Sequence, residues 1–175
     1  MQSVKTVDWV MRGALAVLLV AFVAVVGSAV YERPIHVVVA GEQAPPFTIT
    51  ADSGRRVSTP GFGGKLLVLN FWATWCPPCV EETPSMSQFA KDYAGRGVVV
   101  LGISVDTSAS AYRAFLAKYK PDFLTVRELL IHRDYGTFMY PETYIIDSTG
   151  KVALKIAEGA DWSNPNLRAF IDSLL

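Results

Sequence analysis

Both cysteines of this 175-residue chain stand in one run, Trp75-Cys76-Pro77-Pro78-Cys79. At i and i+3 in the first turn of a helix, two thiols lie on one side, close enough to bond. The unpaired N–H groups and the dipole at such a helix start favour a thiolate at Cys76. Cys76 is therefore expected to attack a partner disulfide, and Cys79, one turn in and more buried, to resolve the mixed disulfide. Pro77 and Pro78 carry no N–H, cost little in a first turn and thin the donors around the sulfurs, so they are expected to tune the redox potential. Trp75 gives the nucleophile a flat apolar wall. Glu82 is three residues beyond Cys79, on the same helix face, where a carboxylate can take a proton from Cys79 or return it. Glu81 beside it reads as a solvated charge. Two other uses of the pair are weaker. A structural disulfide across four residues closes too short a loop to stabilise much. A zinc site needs two further ligands, and His36 and His132 are the only histidines. No metal and no cofactor beyond the Cys76–Cys79 pair is expected.

These residues must be held by particular elements. Lys65–Trp72 (KLLVLNFW) is a nearly continuous apolar run of strand length, suited to the centre of a sheet covered on both faces. A helix is expected from about Cys76 to Tyr93, with Met86, Phe89, Ala90 and Tyr93 at i, i+3, i+4 and i+7, and a kink at Pro84. Gly97–Val105 reads as a second buried strand, followed by a helix that buries Tyr112, Phe115, Leu116 and Tyr119. Phe47–Ala51 and Arg56–Ser58 read as a hairpin around Asp52-Ser53-Gly54, and His36–Val39 as a short strand. Thr143–Asp147 and Val152–Ile156 are strands joined at Ser148-Thr149-Gly150. A last helix starts at Asn164-Pro165 and packs Leu167, Phe170, Ile171 and Leu174. Strand, helix, strand, helix, then a hairpin and a helix describe a layered α/β domain.

Gly13 to Val30 is a different kind of segment, 18 residues without a charge. As a helix it covers about 27 Å, close to the thickness of a bilayer's hydrocarbon core. It is apolar all round, with Trp9 and Tyr31 placed as interfacial aromatics. The expected organisation is a cytoplasmic N-terminus (1–12), a transmembrane anchor (13–31), a tether (32–44) and a folded domain (45–175). Gly27-Ser28-Ala29 leaves a cleaved signal peptide as the alternative. Lys5 and Arg12 before the segment, against Arg33 after it, put the N-terminus in the cytoplasm and the rest of the chain outside it, in the oxidising periplasm or its equivalent. With 16 basic and 16 acidic side chains the chain has no net field for nucleic acid.

The run Phe71-Trp72-Ala73-Thr74-Trp75-Cys76-Pro77-Pro78-Cys79, then Glu82 and Pro84, then Pro141-Glu142-Thr143-Tyr144-Ile145-Ile146-Asp147 and Gly150, resembles the thioredoxin superfamily. Within it, the resemblance is to the membrane-anchored TlpA/ResA/CcmG-like thiol–disulfide oxidoreductases, and it spans about residues 41–175. It implies a thioredoxin-like central mixed sheet flanked by helices, preceded by the transmembrane helix, with an insertion before the half that begins at Pro141. It implies a cis Tyr140–Pro141 bond facing the dithiol, where the backbone of Tyr140 meets an extended client. It makes Glu82 the buried acid of the site. It also implies a reductant of client disulfides, such as that of apocytochrome c during cytochrome c maturation, recharged by a membrane donor of the CcdA/DsbD kind. Two residues depart from the pattern. Asn70 stands where general thioredoxins carry a buried Asp, which leaves any acid–base work to Glu82. Met139 stands where the branch has a glycine, which gives a bulkier, more apolar rim.

Two rival readings start from the same cysteines. Gly41–Phe47 resembles the opening of peroxiredoxins, but their Pro-x-x-x-Thr-x-x-Cys motif is not met. Leu69 and Ala73 hold its places before Cys76, and Trp72 and Cys76 before Cys79. A Sco-like copper chaperone would use Cys-x-x-x-Cys with a distal His; the spacing here is one residue short, with His132 as the candidate ligand.

Overall fold

The computed structural model describes the backbone over residues 3–30 and 36–175, and side chains at 9, 11–27 and 36–175. The side chains of Lys5, Ser28 and Ala29, and residues 31–35 altogether, lie outside the described residues, and with them two of the three flanking charges (Lys5 and Arg33), the second interfacial aromatic (Tyr31) and part of the tether. The chain divides into two units, 1–35 and 36–175. The first holds one helix, α1 (Ser3–Val30), on which Leu15, Leu18, Leu19, Phe22 and Val23 are exposed. Among the described residues no helix is long and apolar enough to cross a membrane; side chains 28–31, which would complete the expected span, are not among them.

The second unit is built on a five-stranded mixed sheet. Its strands are β3 (Leu66–Trp72), β4 (Val98–Ser104), β5 (Leu124–Arg127), β6 (Glu142–Asp147) and β7 (Val152–Ile156), in the order β5-β4-β3-β6-β7. β3 is central, parallel to β4 and antiparallel to β6, and every residue of it is buried. This is the outcome expected of an apolar run without alternation. A separate two-stranded ribbon, β1 (Phe47–Thr50) with β2 (Arg56–Thr59), is the expected hairpin, turning at Gly54 with φ 83°.

The pleat sorts β3 into two rows. Leu67, Leu69 and Phe71 face one core with Leu101, Ile103, Tyr135, Tyr144 and Ile146. Leu66 and Val68 face the other, with Met86, Phe89 and Tyr93 of helix α2 (Pro77–Tyr93), Trp162, and Ile171 of helix α5 (Pro165–Ser173). Asn70 is the next position of this second row, which points a polar side chain at α2. Helix α3 (Ala109–Tyr119) buries Tyr112 and Phe115 beside Trp72, and Leu116 and Tyr119 complete that face partly buried.

Several sequence expectations need correction. His36–Val39 forms no strand; Val38 instead donates its N–H to the Tyr135 carbonyl and buries its side chain. Phe170 lies exposed, because Ile171 takes the inward position on α5. Edge strand β5 and the one-turn helix α4 (Ile131–Asp134) were not foreseen, since four residues are too few for a periodic signal. Together with α3 they fill the insertion before Pro141. The bond between Thr59 and Pro60 is cis, as is the expected one between Tyr140 and Pro141.

Candidate functional site

β3 ends at Trp72 and the chain turns directly into α2, so the cysteine run sits at the C-terminal edge of the central strand. Cys76 is the residue capping the helix, and its Sγ accepts the N–H of Cys79 at 3.3 Å. Pro77 and Pro78 fill the first two helical positions, so the Cys79 amide is the first N–H the helix offers, and it is spent on sulfur. The two cysteines are joined in a disulfide. The order of burial is the one expected, Cys79 at 1% and Cys76 at 4%, but Cys76 is itself buried. In the oxidised form it is covered, in one apolar cluster with Cys79, Ala73, Tyr112 and the partly buried Tyr140.

Trp75 is 63% exposed and meets Tyr140 edge to face, ring centroids 5.8 Å apart. The segment 138–141 thus lies against the residue before the nucleophile. Phe138 and Met139 are exposed beside it, while Pro141 is buried. The Tyr140 hydroxyl reaches Nδ1 of His132 at 3.1 Å, and the same nitrogen lies 2.8 Å from the Thr137 carbonyl. His132 is therefore engaged in holding this loop. Behind it, Glu142 receives the hydroxyls of Thr137 and Tyr144 and pairs with Lys155 at 2.8 Å. Burial and this neighbouring carboxylate push the Tyr144 phenol up.

Glu82 is buried, 5% exposed, one turn past Cys79. Its Oε1 accepts from Asn70 Nδ2 at 2.9 Å and its Oε2 from the Ala160 N–H at 3.0 Å. The second amide hydrogen of Asn70 serves Thr143 Oγ1, its cross-strand partner on β6, also at 2.9 Å. Burial outweighs these donors and raises the Glu82 pKa from 4.5 to about 7. A carboxyl poised there changes protonation near neutral pH, as proton exchange with a thiol requires. Glu81 is exposed, as expected. Pro84 lies within α2.

Two contributors escaped the sequence reading. Asp106, just past β4 and 1% exposed, accepts the N–H of Thr74 at 3.0 Å, the Thr74 hydroxyl at 2.7 Å and the Ser104 hydroxyl at 2.6 Å. It grips the turn two residues before Cys76. The Asp106→Ala variant strands both Thr74 donors. It is expected to lose about 2 kcal/mol of unfolding free energy and to slow disulfide exchange, which denaturant titration and a reductase assay will read. The other is Trp162, on the loop that carries Ala160. Nothing local marks either residue; each acquires its place from a partner more than 30 residues away.

A model of the AhpC/TSA family matches residues 40–155 of this chain. The chain is 39% identical over 115 residues to the thioredoxin-like protein YneN of Bacillus subtilis (strain 168), covering 64% of this chain and 68% of that protein. It is 32% identical over 145 residues to the thiol-disulfide oxidoreductase ResA of Geobacillus thermodenitrificans, covering 82% of this chain and 83% of that one. Among solved structures, a thiol:disulfide interchange protein of the thioredoxin family from Chlorobium tepidum superposes with a TM-score of 0.65 at 26% identity. That match covers 80% of this chain and 99% of the other.

Proposed function

We propose, from the premise that this chain belongs to the AhpC/TSA family and is a thioredoxin-like thiol–disulfide oxidoreductase, that it reduces client disulfides from a membrane-tethered position. The carrying observation is the sulfur pair seated as the cap of α2, with the Cys79 N–H on Cys76 Sγ. In the reduced protein the same N–H favours the Cys76 thiolate. That thiolate attacks one sulfur of the client cystine, forming a Cys76–client bond and releasing the client's other sulfur as a thiolate. Glu82, ionised, takes the proton of Cys79. The Cys79 thiolate then attacks Cys76 Sγ, the Cys76–Cys79 bond forms, and the second client thiolate leaves. Two electrons pass from the dithiol to the client. A dithiol donor in the membrane, of the CcdA/DsbD kind, returns them.

Trp75, Tyr140 and Pro141 form the client-contacting side of the site, and Pro77 and Pro78 tune its potential by withholding amide donors. The uncharged run Gly13–Val30 supports an anchor in the cytoplasmic membrane, with the catalytic unit on the extracytoplasmic side. The resemblance of the Trp75–Cys79, Glu82 and Pro141–Asp147 motifs to the TlpA/ResA/CcmG-like branch supports a client of the apocytochrome c type, whose haem-binding cysteines must be reduced before cytochrome c maturation.

The test uses the full chain in detergent, reduced with dithiothreitol and freed of it. It should reduce a cyclic Cys-x-x-Cys-His peptide stoichiometrically and faster than it reduces insulin or hydrogen peroxide. Peroxide turnover matching that of the peptide would overturn the reading in favour of a peroxidase.

A further inference from the structure

The indole of Trp162 is wholly buried, and its Nε1–H makes no hydrogen bond. Buried donors left unpaired are rare and ask for a reason. The residue is anchored by its neighbours. It packs on Phe89 with centroids 5.1 Å apart, its backbone N–H donates to Ser85 Oγ at 3.3 Å, and its carbonyl accepts Nε of Arg168 at 2.8 Å. The loop it belongs to closes over Glu82, since Ala160, two residues earlier, donates to Glu82 Oε2. The indole N–H is also among the donors that favour the ionised form of that carboxylate, although the contact is too long or too bent for an ordinary hydrogen bond. Each Glu82 oxygen already holds one donor and accepts a second.

Building on the proton-carrier reading of Glu82, we propose that the Trp162 indole N–H is the third donor to the Glu82 carboxylate, closing on it when Glu82 ionises and idle when Glu82 is protonated. Trp162 is thereby a positioning residue, which sets the pH range in which Glu82 accepts the Cys79 proton. The other groups around Glu82 do not offer this help. Glu81 from α2, and Glu158 and Asp161 from the loop after β7, line the cleft that Glu82 opens into, and as carboxylates they offer its anion neither a donor nor a counter-charge. Asn70 from β3 divides its two hydrogens between Glu82 and Thr143. Arg168 of α5 is committed to Asp92 at 2.7 Å and to the Trp162 carbonyl. Stabilisation of the anion falls to neutral donors, and the Trp162 N–H, which with that of Trp72 is one of two buried side-chain N–H groups left without a partner among the described residues, is unspent.

The Trp162→Phe variant keeps the ring on Phe89 and removes only the N–H. Its rate of mixed-disulfide resolution by Cys79 is expected to fall about three- to fivefold at pH 7 and to rejoin wild type at pH 9, a displacement of the profile toward alkali by up to about one pH unit. In 15N-labelled wild-type protein, the Trp162 indole N–H resonance should move with pH through the Glu82 titration, and should stay still in Glu82→Gln. This second measurement needs no Trp162 variant to fold. A flattened Glu82→Gln profile beside a Trp162→Phe profile that superimposes on wild type, or an indole resonance indifferent to pH, overturns the proposal alone. A Glu82→Gln profile identical to wild type overturns the proton-carrier reading, and this proposal with it.

Discussion

Replacing Cys79 by serine is expected to abolish multiple turnover and to leave the protein bound one-to-one to its client through Cys76. The reason lies in how the two sulfurs are placed. Cys76 Sγ is the cap of α2 and receives the amide of residue 79, which serine retains, so the Cys76 thiolate keeps its stabilisation. What serine lacks is the second nucleophile. Its hydroxyl does not cleave a disulfide, so the Cys76–client bond, once formed, persists. Cys76→Ser should give no adduct, because the helix-start N–H that favours a thiolate serves Cys76 Sγ, and no described hydrogen bond serves Cys79 Sγ in the same way. Non-reducing electrophoresis followed by peptide mapping reads both results. Adducts formed chiefly through position 79 would reverse the roles. The same variant, expressed in the native cell, carries its clients with it. Recovery of apocytochromes would support the client class inferred above, and recovery of many unrelated exported proteins would refute it.

The second large effect belongs to Glu82, and it appears in stability as well as in rate. In the folded protein burial holds the carboxyl at about 7, against 4.5 for the free group. Between those values the native state keeps a proton that the unfolded chain has released. The contribution of this group to stability is therefore whole below about pH 4.5 and is lost as pH rises through about 7. The loss amounts to about 3 kcal/mol on the alkaline side. Glu82→Gln cannot ionise and escapes the loss. Its amide satisfies only one of the two donors at that site, Asn70 Nδ2 and the Ala160 N–H, which subtracts a constant amount at every pH. Relative to wild type, the Gln variant should gain stability from pH 4.5 to 7 and then hold level, as urea midpoints at pH 4, 6 and 8 will show. Over the same range it should resolve mixed disulfides about a hundredfold more slowly than wild type at pH 7. A stability difference that does not vary with pH would mean that Glu82 is already ionised when buried.

Placing Glu82 and Trp162 together shows a site that depends on fixed donors rather than counter-charges. No cation pairs with the Glu82 carboxylate among the described partners, which are an amide side chain and a backbone N–H. Neutral donors leave the pKa near the working range, whereas a salt bridge would pull it far below. Asn70 is part of this design. The residue that departs from the general thioredoxin pattern does not ionise, but it ties β3, β6 and α2 together at the carboxylate.

The sequence alone determined what depends on neighbours in the chain. The sulfur spacing, the two prolines that leave Cys79 as the first amide donor, the uninterrupted apolar strand before them and the i, i+3, i+4 stripe of α2 are all local, and each follows from the geometry of one element. The resemblance added the cis bond before Pro141 and the burial of Glu82, and both are present. Tertiary structure alone decided which groups meet. Ala160 and Glu82 are 78 residues apart, Asn70 and Thr143 are 73, and Thr74 and Asp106 are 32. Periodicity tells which face of a strand or helix is buried. It does not tell which strand lies beside it, and the order β5-β4-β3-β6-β7 is what brings these pairs within reach. The edge strand β5 and the single turn of α4 went unseen for a related reason, since segments of four residues take their conformation from the sheet and loop they join.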